Sequence, residues 1–154
     1  MAQSSSSCID SRRAGEQGVT RFQFHHVAIS VPSLQQAVDW YGRIFGYVVE
    51  KYFDVPPPVD AKAAMLRMGE LRIEVFEPRH PSTLPDDRRI PVQDLLTHGT
   101  KHPAYRVENL ESAMRELQAK GVEIVFVVRE KFGRGFFIRD CAGNLIEFVE
   151  ELNT

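Results

Sequence analysis

Residues 26–37 read HVAISVPSLQQA, and residues 102–113 read HPAYRVENLESA. A shift of 76 positions superposes the two stretches and gives five identical residues, including the histidine that opens each stretch. In both, apolar residues first alternate with polar ones, as in a half-buried strand, and then recur at helical spacing. The chain is therefore predicted to contain the same strand–helix unit twice.

Three strand-like runs follow the helix in each half, and they cover residues 47–53, 63–68, 70–77, 122–128, 135–140 and 144–150. A second shift, of 73 positions, superposes Ile73 and Glu74 on Ile146 and Glu147 in the last run of each half. Each half thus reads as strand, helix and three strands. The predicted fold class is α+β, with two tandem βαβββ modules.

The segments between these units set the predicted domain organisation. Residues 1–20 are serine-rich without apolar periodicity, which predicts a disordered tail. The first module is expected at 21–80 and the second at 101–152, together making one composite domain. The proline-rich stretch 81–100 between them reads as a linker with one helical turn around 92–96.

Composition excludes several classes of function. The chain has 19 Lys and Arg against 21 Asp and Glu, so it lacks the basic excess typical of proteins that bind nucleic acid or anionic membranes. No apolar run approaches the roughly 20 residues of a membrane-spanning helix. Cys8 and Cys141 are expected to be reduced thiols. We expect a cytoplasmic protein that acts on small molecules.

Strand alternation predicts which side chains share a face. The apolar residues of the first strand pack against the helix and leave His26 on the opposite face, and the same holds for His102. In the last strand of each module the apolar set leaves Glu74 and Glu147 on that opposite face as well. Each module therefore presents one histidine and one glutamate at matching positions.

Two imidazoles and two carboxylates are a ligand set for one divalent transition metal, which can be Ni, Zn, Co, Mn or Fe(II). Four protein ligands leave two positions of an octahedron for two adjacent oxygens of a small substrate. The repeat supports only these four residues, because His25, His80 and His98 have no counterpart in the other half. Whether the two modules meet within one chain or across a dimer stays open.

Other side chains are candidates for binding the substrate. Arg72, Arg106 and Phe76 fall on the same strand faces as the predicted ligands, and Arg134 lies in the glycine-containing loop 129–135. The arginines would suit a carboxylate or phosphate group of the substrate. The alternatives are arginines at a solvated rim or paired with the glutamates, an ordinary hairpin loop, and a core aromatic residue.

Four motifs carry a family resemblance: HHVAISV with DWYGRIFGY, LRIEVFEP, HGTKHPAYRV with NLESAMRELQAKGV, and FFIRDCAGNLIEFVE. Over about residues 22–151 the chain resembles the vicinal oxygen chelate superfamily, the group of glyoxalase I, methylmalonyl-CoA epimerase, extradiol dioxygenases, and fosfomycin and bleomycin resistance proteins. The resemblance implies curled mixed sheets around a central metal cleft, commonly in a homodimer. It assigns the metal ligands to His26, Glu74, His102 and Glu147.

The branch of the superfamily bears on the chemistry. Ring-cleaving dioxygenases have a non-ligand at the place of Glu74, whereas a carboxylate there resembles glyoxalase I. That resemblance implies a metal-dependent lyase or isomerase in which Glu147 or Glu74 moves a proton next to a carbonyl. Ser30 stands where glyoxalase I often has an arginine that contacts glutathione, and Pro78 where it often has asparagine. Both departures argue against glutathione as co-substrate, and the VFEP ending resembles the epimerase branch.

Two alternatives belong to other classes of function. An Fe(II)-dependent dioxygenase of the same superfamily would be recognised by its metal and by oxygen consumption. A drug-binding protein like the bleomycin resistance proteins would need no metal, and such proteins typically lack a full ligand set.

Overall fold

The computed structural model describes residues 22–130 and 133–151, so the predicted tail at 1–20 and loop residues 131–132 lie outside the described part of the chain. Besides a 3₁₀ turn at Asp86–Arg89, the elements are β1 (Val27–Ser30), α1 (Leu34–Phe45), β2 (Val48–Val55), β3 (Ala61–Met68), β4 (Leu71–Pro78), α2 (Pro91–Asp94), β5 (Ala104–Arg106), α3 (Leu110–Ala119), β6 (Phe126–Glu130), β7 (Gly133–Arg139) and β8 (Leu145–Glu150).

The strands form two four-stranded mixed sheets with the same topology. Module 1 has the strand order β1-β4-β3-β2, and module 2 has the order β5-β8-β7-β6. In each sheet the first strand runs parallel to the last, and the remaining neighbours are antiparallel. The predicted α+β fold of two tandem βαβββ modules is confirmed.

Each long helix begins on a carboxylate supplied by the last strand of its own module. Ser33 caps α1 with its hydroxyl, and the Leu34 N–H donates to Glu77 Oε2 at 2.6 Å. In module 2 the Leu110 N–H donates to Glu150 Oε2, also at 2.6 Å. An acceptor at this place satisfies a backbone donor that the helix leaves unpaired and complements the helix dipole. Both modules thus begin their long helix with the same backbone-to-carboxylate hydrogen bond.

The helix sides of the two modules share one hydrophobic core. The Phe45 ring, at the end of α1, stacks on Tyr105 and Phe148 of module 2, with ring centroids 5.2 and 6.1 Å apart. At the rim of this contact, Lys120 Nζ donates to the Ile44 carbonyl at 2.9 Å. The modules therefore pack with their helix-facing sheet surfaces toward each other.

The linker folds onto the modules around a buried carboxylate. The helical turn predicted at 92–96 is α2, at Pro91–Asp94, and the 3₁₀ turn precedes it. Asp94 is only 1% exposed and lies 2.5 Å from Arg88 Nε and 3.7 Å from Lys101 Nζ. Because a buried carboxylate needs positive partners, this cluster holds the linker in place.

The first strand after α3 is shorter than the sequence pattern indicated. Residues 122–128 were expected to form it, but β6 begins at Phe126. The Val122 N–H donates to the Leu117 carbonyl at 2.9 Å and is thus used in closing the end of α3. In the described residues, no helix is long and apolar enough to span a bilayer.

Candidate functional site

The first predicted pair meets at the junction of β1 and β4. The parallel register sets Ala28 beside Glu74, so His26, which immediately precedes β1, reaches the same carboxylate. His26 Nε2 lies 3.2 Å from Glu74 Oε2, with 31% and 19% of the two side chains exposed. The other ring nitrogen of His26, Nδ1, lies 2.7 Å from Nδ1 of His25. Sequence reasoning missed His25, since the repeat gave it no support.

The second pair repeats this geometry in module 2. The register sets Ala104 beside Glu147, and His102 Nε2 lies 3.2 Å from Glu147 Oε2. The edge of the His102 ring packs against Phe137, with centroids 4.9 Å apart, and no residue in the described part of the chain hydrogen-bonds to its buried Nδ1. Each predicted histidine therefore meets its predicted glutamate.

The two pairs do not come together within the part of the chain described here. No group of three or more His, Cys, Asp or Glu side chains in residues 22–130 and 133–151 is close enough to hold one metal ion. The cause is the packing of the modules, because residues next to each glutamate along its strand are buried in the shared core. Those core residues are Ile73, Val75, Ile146 and Phe148. Alternation then turns both carboxylates away from the core.

The donor atoms of each pair fit half of a metal site. Imidazole nitrogen and carboxylate oxygen bind first-row divalent ions at roughly 2.0–2.2 Å, so two neighbouring ligands of one ion lie about 3 Å apart. The Nε2–Oε2 distance of 3.2 Å in both pairs agrees with that spacing. Two such halves would supply the four ligands, and each half by itself supplies only two.

In module 2, the backbones of β7 and β8 approach each other closely beside Glu147. A Cβ atom on Gly135 would lie 2.8 Å from the backbone oxygen of Phe148 and 3.5 Å from Glu147 Oε1. Real Cβ atoms essentially never approach a backbone oxygen so closely, so this position requires glycine. The residue at the matching register of module 1 is Ala63. From the sequence, Gly135 was only part of the glycine-containing loop 129–135, because the close approach depends on the pairing of β7 with β8.

Two of the candidate substrate arginines have carboxylate partners of their own. Arg72 Nε donates to Glu50 Oε2 at 3.0 Å, and this hydrogen bond holds the pKa of Glu50 below its usual range. Arg106 Nη1 donates to Glu151 at 3.3 Å. Neither pairs with a glutamate of the His–Glu pairs, which was one of the alternatives. Their contact with a substrate stays a prediction.

The third arginine and the candidate aromatic residue are also engaged within the chain. Arg134 Nη1 donates to Glu150 at 3.2 Å, and Arg134 contacts Glu111 through Nη2. Phe76 lies edge-on to Phe53, with ring centroids 6.5 Å apart. Arg134 therefore joins β7 to the start of α3 in this state, and the substrate role of both residues stays a prediction.

Comparison with protein families gives one clear match. The model for the glyoxalase/bleomycin resistance protein/dioxygenase superfamily matches residues 25–138. This range includes both histidines and Glu74 and ends before Glu147.

Comparison with individual proteins agrees with this family match. A curated relative, a 2-epi-5-epi-valiolone epimerase from Actinomyces, is 31% identical over 116 residues, which are 66% of this chain and 61% of the length of the epimerase. A glyoxalase family protein from Enterococcus faecalis has a TM-score of 0.70 at 23% identity, covering 83% of this chain and 97% of its own. A mutant fosfomycin resistance protein from Listeria monocytogenes, solved with Mn(II) and 1S,2S-dihydroxypropylphosphonic acid, has a TM-score of 0.63 at 16% identity, covering 86% and 95%.

Proposed function

The chain belongs to the glyoxalase/bleomycin resistance protein/dioxygenase superfamily, and from that premise we propose that it is a divalent-metal-dependent enzyme of the lyase or isomerase kind. The proposed reaction is proton transfer at a carbon next to a carbonyl. The observation that carries the proposal is the pair of equivalent histidine–glutamate contacts, each at 3.2 Å.

His26, Glu74, His102 and Glu147 would hold the metal. Ni, Zn, Co, Mn and Fe(II) all accept this nitrogen and oxygen set. The fosfomycin resistance protein of similar fold was solved with Mn(II), which supports a divalent ion as the cofactor of this chain. A bound divalent ion would supply Lewis-acid stabilisation of the negative charge that develops on the substrate oxygens.

A homodimer would complete the site. Because both pairs face away from the shared core, the proposal joins module 1 of one protomer to module 2 of its partner, so that each site gains four ligands. A two-fold axis then makes two identical sites from two chains. The sequence left open whether the modules meet within one chain or across a dimer, and the proposal adopts the dimer.

The chain's own carboxylates would move the proton. Glu147, whose Oε2 lies 3.2 Å from His102 Nε2, is one candidate for the base. Glu74 is the equivalent group of module 1 and would return the proton from the other side of the carbon. Two opposed bases suit an epimerisation, and the name of the curated relative supports that reaction type.

The proposed substrate is a small molecule that chelates the metal through adjacent oxygens. Ser30 and Pro78 provide neither an arginine nor an asparagine for glutathione, so a glutathione conjugate is not expected. A hydroxyketone carries the adjacent oxygens and an exchangeable proton on the carbon beside its carbonyl. 2-Epi-5-epi-valiolone is the first probe to test.

The metal content of protein purified without added metal or chelator tests the ligand set. We expect near-stoichiometric metal in the wild type and its loss in His102→Ala, measured by elemental mass spectrometry. His80→Ala is the matched control, because His80 is an exposed histidine just after β4. Absence of metal from the wild type even after reconstitution would overturn the proposal, and Fe together with oxygen consumption would favour the dioxygenase.

Mixing two variants tests the dimer. The module 1 variant carries His26→Ala and Glu74→Gln, and the module 2 variant carries His102→Ala and Glu147→Gln. Neither should hold metal alone, but after subunit exchange about a quarter of the wild-type metal should return, because half of the mixed dimers are heterodimers with one intact site each. No recovery from an exchanged mixture would contradict a shared site.

Proton exchange tests the chemistry. In D₂O the metal-loaded wild type should exchange the proton beside the carbonyl of 2-epi-5-epi-valiolone, followed by NMR. Glu147→Gln should lower the rate by about 100-fold or more, since a general base typically contributes a factor of this size. Metal-loaded protein that exchanges no proton from this ketone or from hydroxyacetone would remove the proton-transfer assignment.

A further inference from the structure

A cleft separate from both His–Glu pairs lies where β1 passes into α1. The linker covers it from one side and the turn between β7 and β8 from the other, and it encloses about 250 Å³. Ligand pockets for drug-sized molecules are typically about 300–1,000 Å³, so this cleft suits a small molecule. The residues around it are Ser30, Val31, Pro32, Pro81, Ser82, Thr83, Leu84, Arg89, Ala142 and Asn144. The four predicted metal ligands are not among them.

Arg89 is the charged residue of this cleft. Its side chain is half-buried, and its Nε is fully buried without a hydrogen-bond partner among the described residues. The guanidinium lies flat against the backbone of Gly143, since a Cβ built there would be 3.0 Å from Nη1. No carboxylate within the described ranges forms an ion pair with it. A positive charge held partly out of water without a counterion is unfavourable unless an anion binds there.

Several other arginines of the chain have partners of a kind that Arg89 lacks among the described residues. Arg72, Arg79 and Arg134 each form an ion pair with a glutamate or aspartate, and so do Arg88 and Arg106. Arg43 and Arg139 donate to backbone carbonyls. Arg89 instead is partly buried at the wall of a cavity and forms no ion pair with a carboxylate of the described residues.

The rest of the lining indicates what the anion is attached to. Ser82 and Thr83 bring hydroxyl groups that can donate to an anionic oxygen, and Val31, Leu84 and Ala142 bring apolar surface. We propose that the cleft is a binding site for a small organic anion, a carboxylate or phosphate monoester with a short apolar body, whose charged group pairs with Arg89. A planar guanidinium can hold either group through two parallel hydrogen bonds. The proposal does not depend on the metal or on the proposed reaction.

Direct binding of defined probes tests the site. n-Butyl phosphate and hexanoate would be titrated into the full chain by calorimetry and by amide NMR, with 1-hexanol as the uncharged control. We expect both anions to bind and to shift the Gly143 amide resonance, and the alcohol to bind at least about tenfold more weakly. Tighter binding of butyl phosphate would identify a phosphate monoester site, and tighter binding of hexanoate a carboxylate site.

Variants assign the binding to Arg89. Arg89→Gln should weaken the better anion at least about tenfold, because a charge-assisted hydrogen-bond pair is lost. Arg79→Gln removes the same charge from a nearby exposed arginine that pairs with Asp60, and it should leave the affinity within about twofold. Arg89→Lys retains the charge without the planar fork, and it serves as the second variant if Arg89→Gln unfolds.

The outcomes separate cleanly. An Arg89→Gln protein that melts near the wild-type temperature and has lost the anion supports the site. Equal affinity of hexanoate and hexanol, or an anion affinity unchanged in a folded Arg89 variant, overturns it. No binding of either anion at about 10 mM overturns it as well. None of these outcomes depends on metal binding, so failure of the anion site would leave the proposed reaction in place.

Discussion

The two modules share a topology but differ in the hairpin that ends each of them. In module 1, β3 and β4 are joined by the two-residue turn Gly69–Glu70. In module 2, the longer turn after β7 contains Asp140, which is 6% exposed and accepts a hydrogen bond from Tyr41 of module 1 at 3.0 Å. Both modules have a His–Glu pair, and the hairpin of module 2 in addition binds module 1 through Asp140.

The modules also hold their histidines differently. His102 is packed edge-on against Phe137, and its side chain is 16% exposed. His26 is 31% exposed, and its second ring nitrogen contacts His25 instead. At the position matching His25, module 2 has Lys101, whose ammonium donates to the Asp94 carbonyl at 2.6 Å in the linker. Packing thus orients one ring, and a hydrogen bond orients the other.

Removing the Asp140 anchor is expected to have the largest effect. Besides the Tyr41 hydroxyl, Asp140 accepts from the backbone N–H of Ala142 and from the backbone N–H and side-chain amide of Asn144, at 2.8–2.9 Å. Asp140→Ala leaves these buried donors unpaired and should cost about 3 kcal/mol of unfolding free energy. Glu70→Ala, in the matching exposed turn of module 1, should cost less than about 0.5 kcal/mol.

Urea unfolding of the two variants checks this asymmetry. Equal losses would mean that the turn of module 2 contributes no more than an ordinary hairpin, and the contrast between the modules would disappear.

Much of this was readable from the sequence, and the limits have a physical cause. Alternation and the repeat placed His26 beside Glu74 and His102 beside Glu147, because strand periodicity is a local property. The contact of Tyr41 with Asp140 joins residues 99 positions apart and depends on how the modules pack. The same packing turns the two pairs away from each other, which alternation within a strand cannot show.

The partners of the arginines were beyond the sequence for a related reason. A strand face tells which side an arginine occupies, but its long side chain reaches any carboxylate nearby. Arg72 therefore meets Glu50 on a neighbouring part of the sheet, where alternation had left a substrate or a ligand glutamate as options. The glycine requirement at Gly135 is likewise set by sheet pairing.

Gly135 gives a second way to test how the two modules differ. Gly135→Ala forces the backbone of β7 or β8 to shift, because the new Cβ meets the Phe148 oxygen at 2.8 Å. Overpacking of this kind should cost about 2 kcal/mol. The reverse change at the matching position, Ala63→Gly, should cost about 1 kcal/mol through chain entropy and a lost buried methyl group.

Thermal and urea unfolding measure both changes. A neutral or stabilising Gly135→Ala would mean that the strand tolerates a side chain there, and the close approach of β7 to β8 would then not require glycine.

His25 tests the difference in how the histidines are held. If His25 orients the His26 ring, His25→Phe should weaken metal binding about tenfold, as loss of a partner to a ligand histidine typically does. His25→Gln keeps an acceptor and should recover part of the affinity, and His80→Phe is the control. Competition with a chromophoric chelator gives the affinities, and ¹⁵N NMR of the metal-free protein gives the His26 tautomer. Unchanged affinity and tautomer in His25→Phe would make the contact incidental.

Tyr41 gives the smallest effect and the one that depends on pH. Burial, reinforced by Asp140, raises the pKa of Tyr41 well above its usual value. Tyr41→Phe should cost about 1 kcal/mol at pH 8, where the hydroxyl is protonated in both states. Above about pH 10 the unfolded tyrosine ionises while the folded one keeps its proton, so the wild type loses stability with rising pH. The gap between wild type and variant should therefore narrow from pH 8 to 10.5, and a constant gap in urea unfolding would mean that Tyr41 does not stay protonated in the folded anchor.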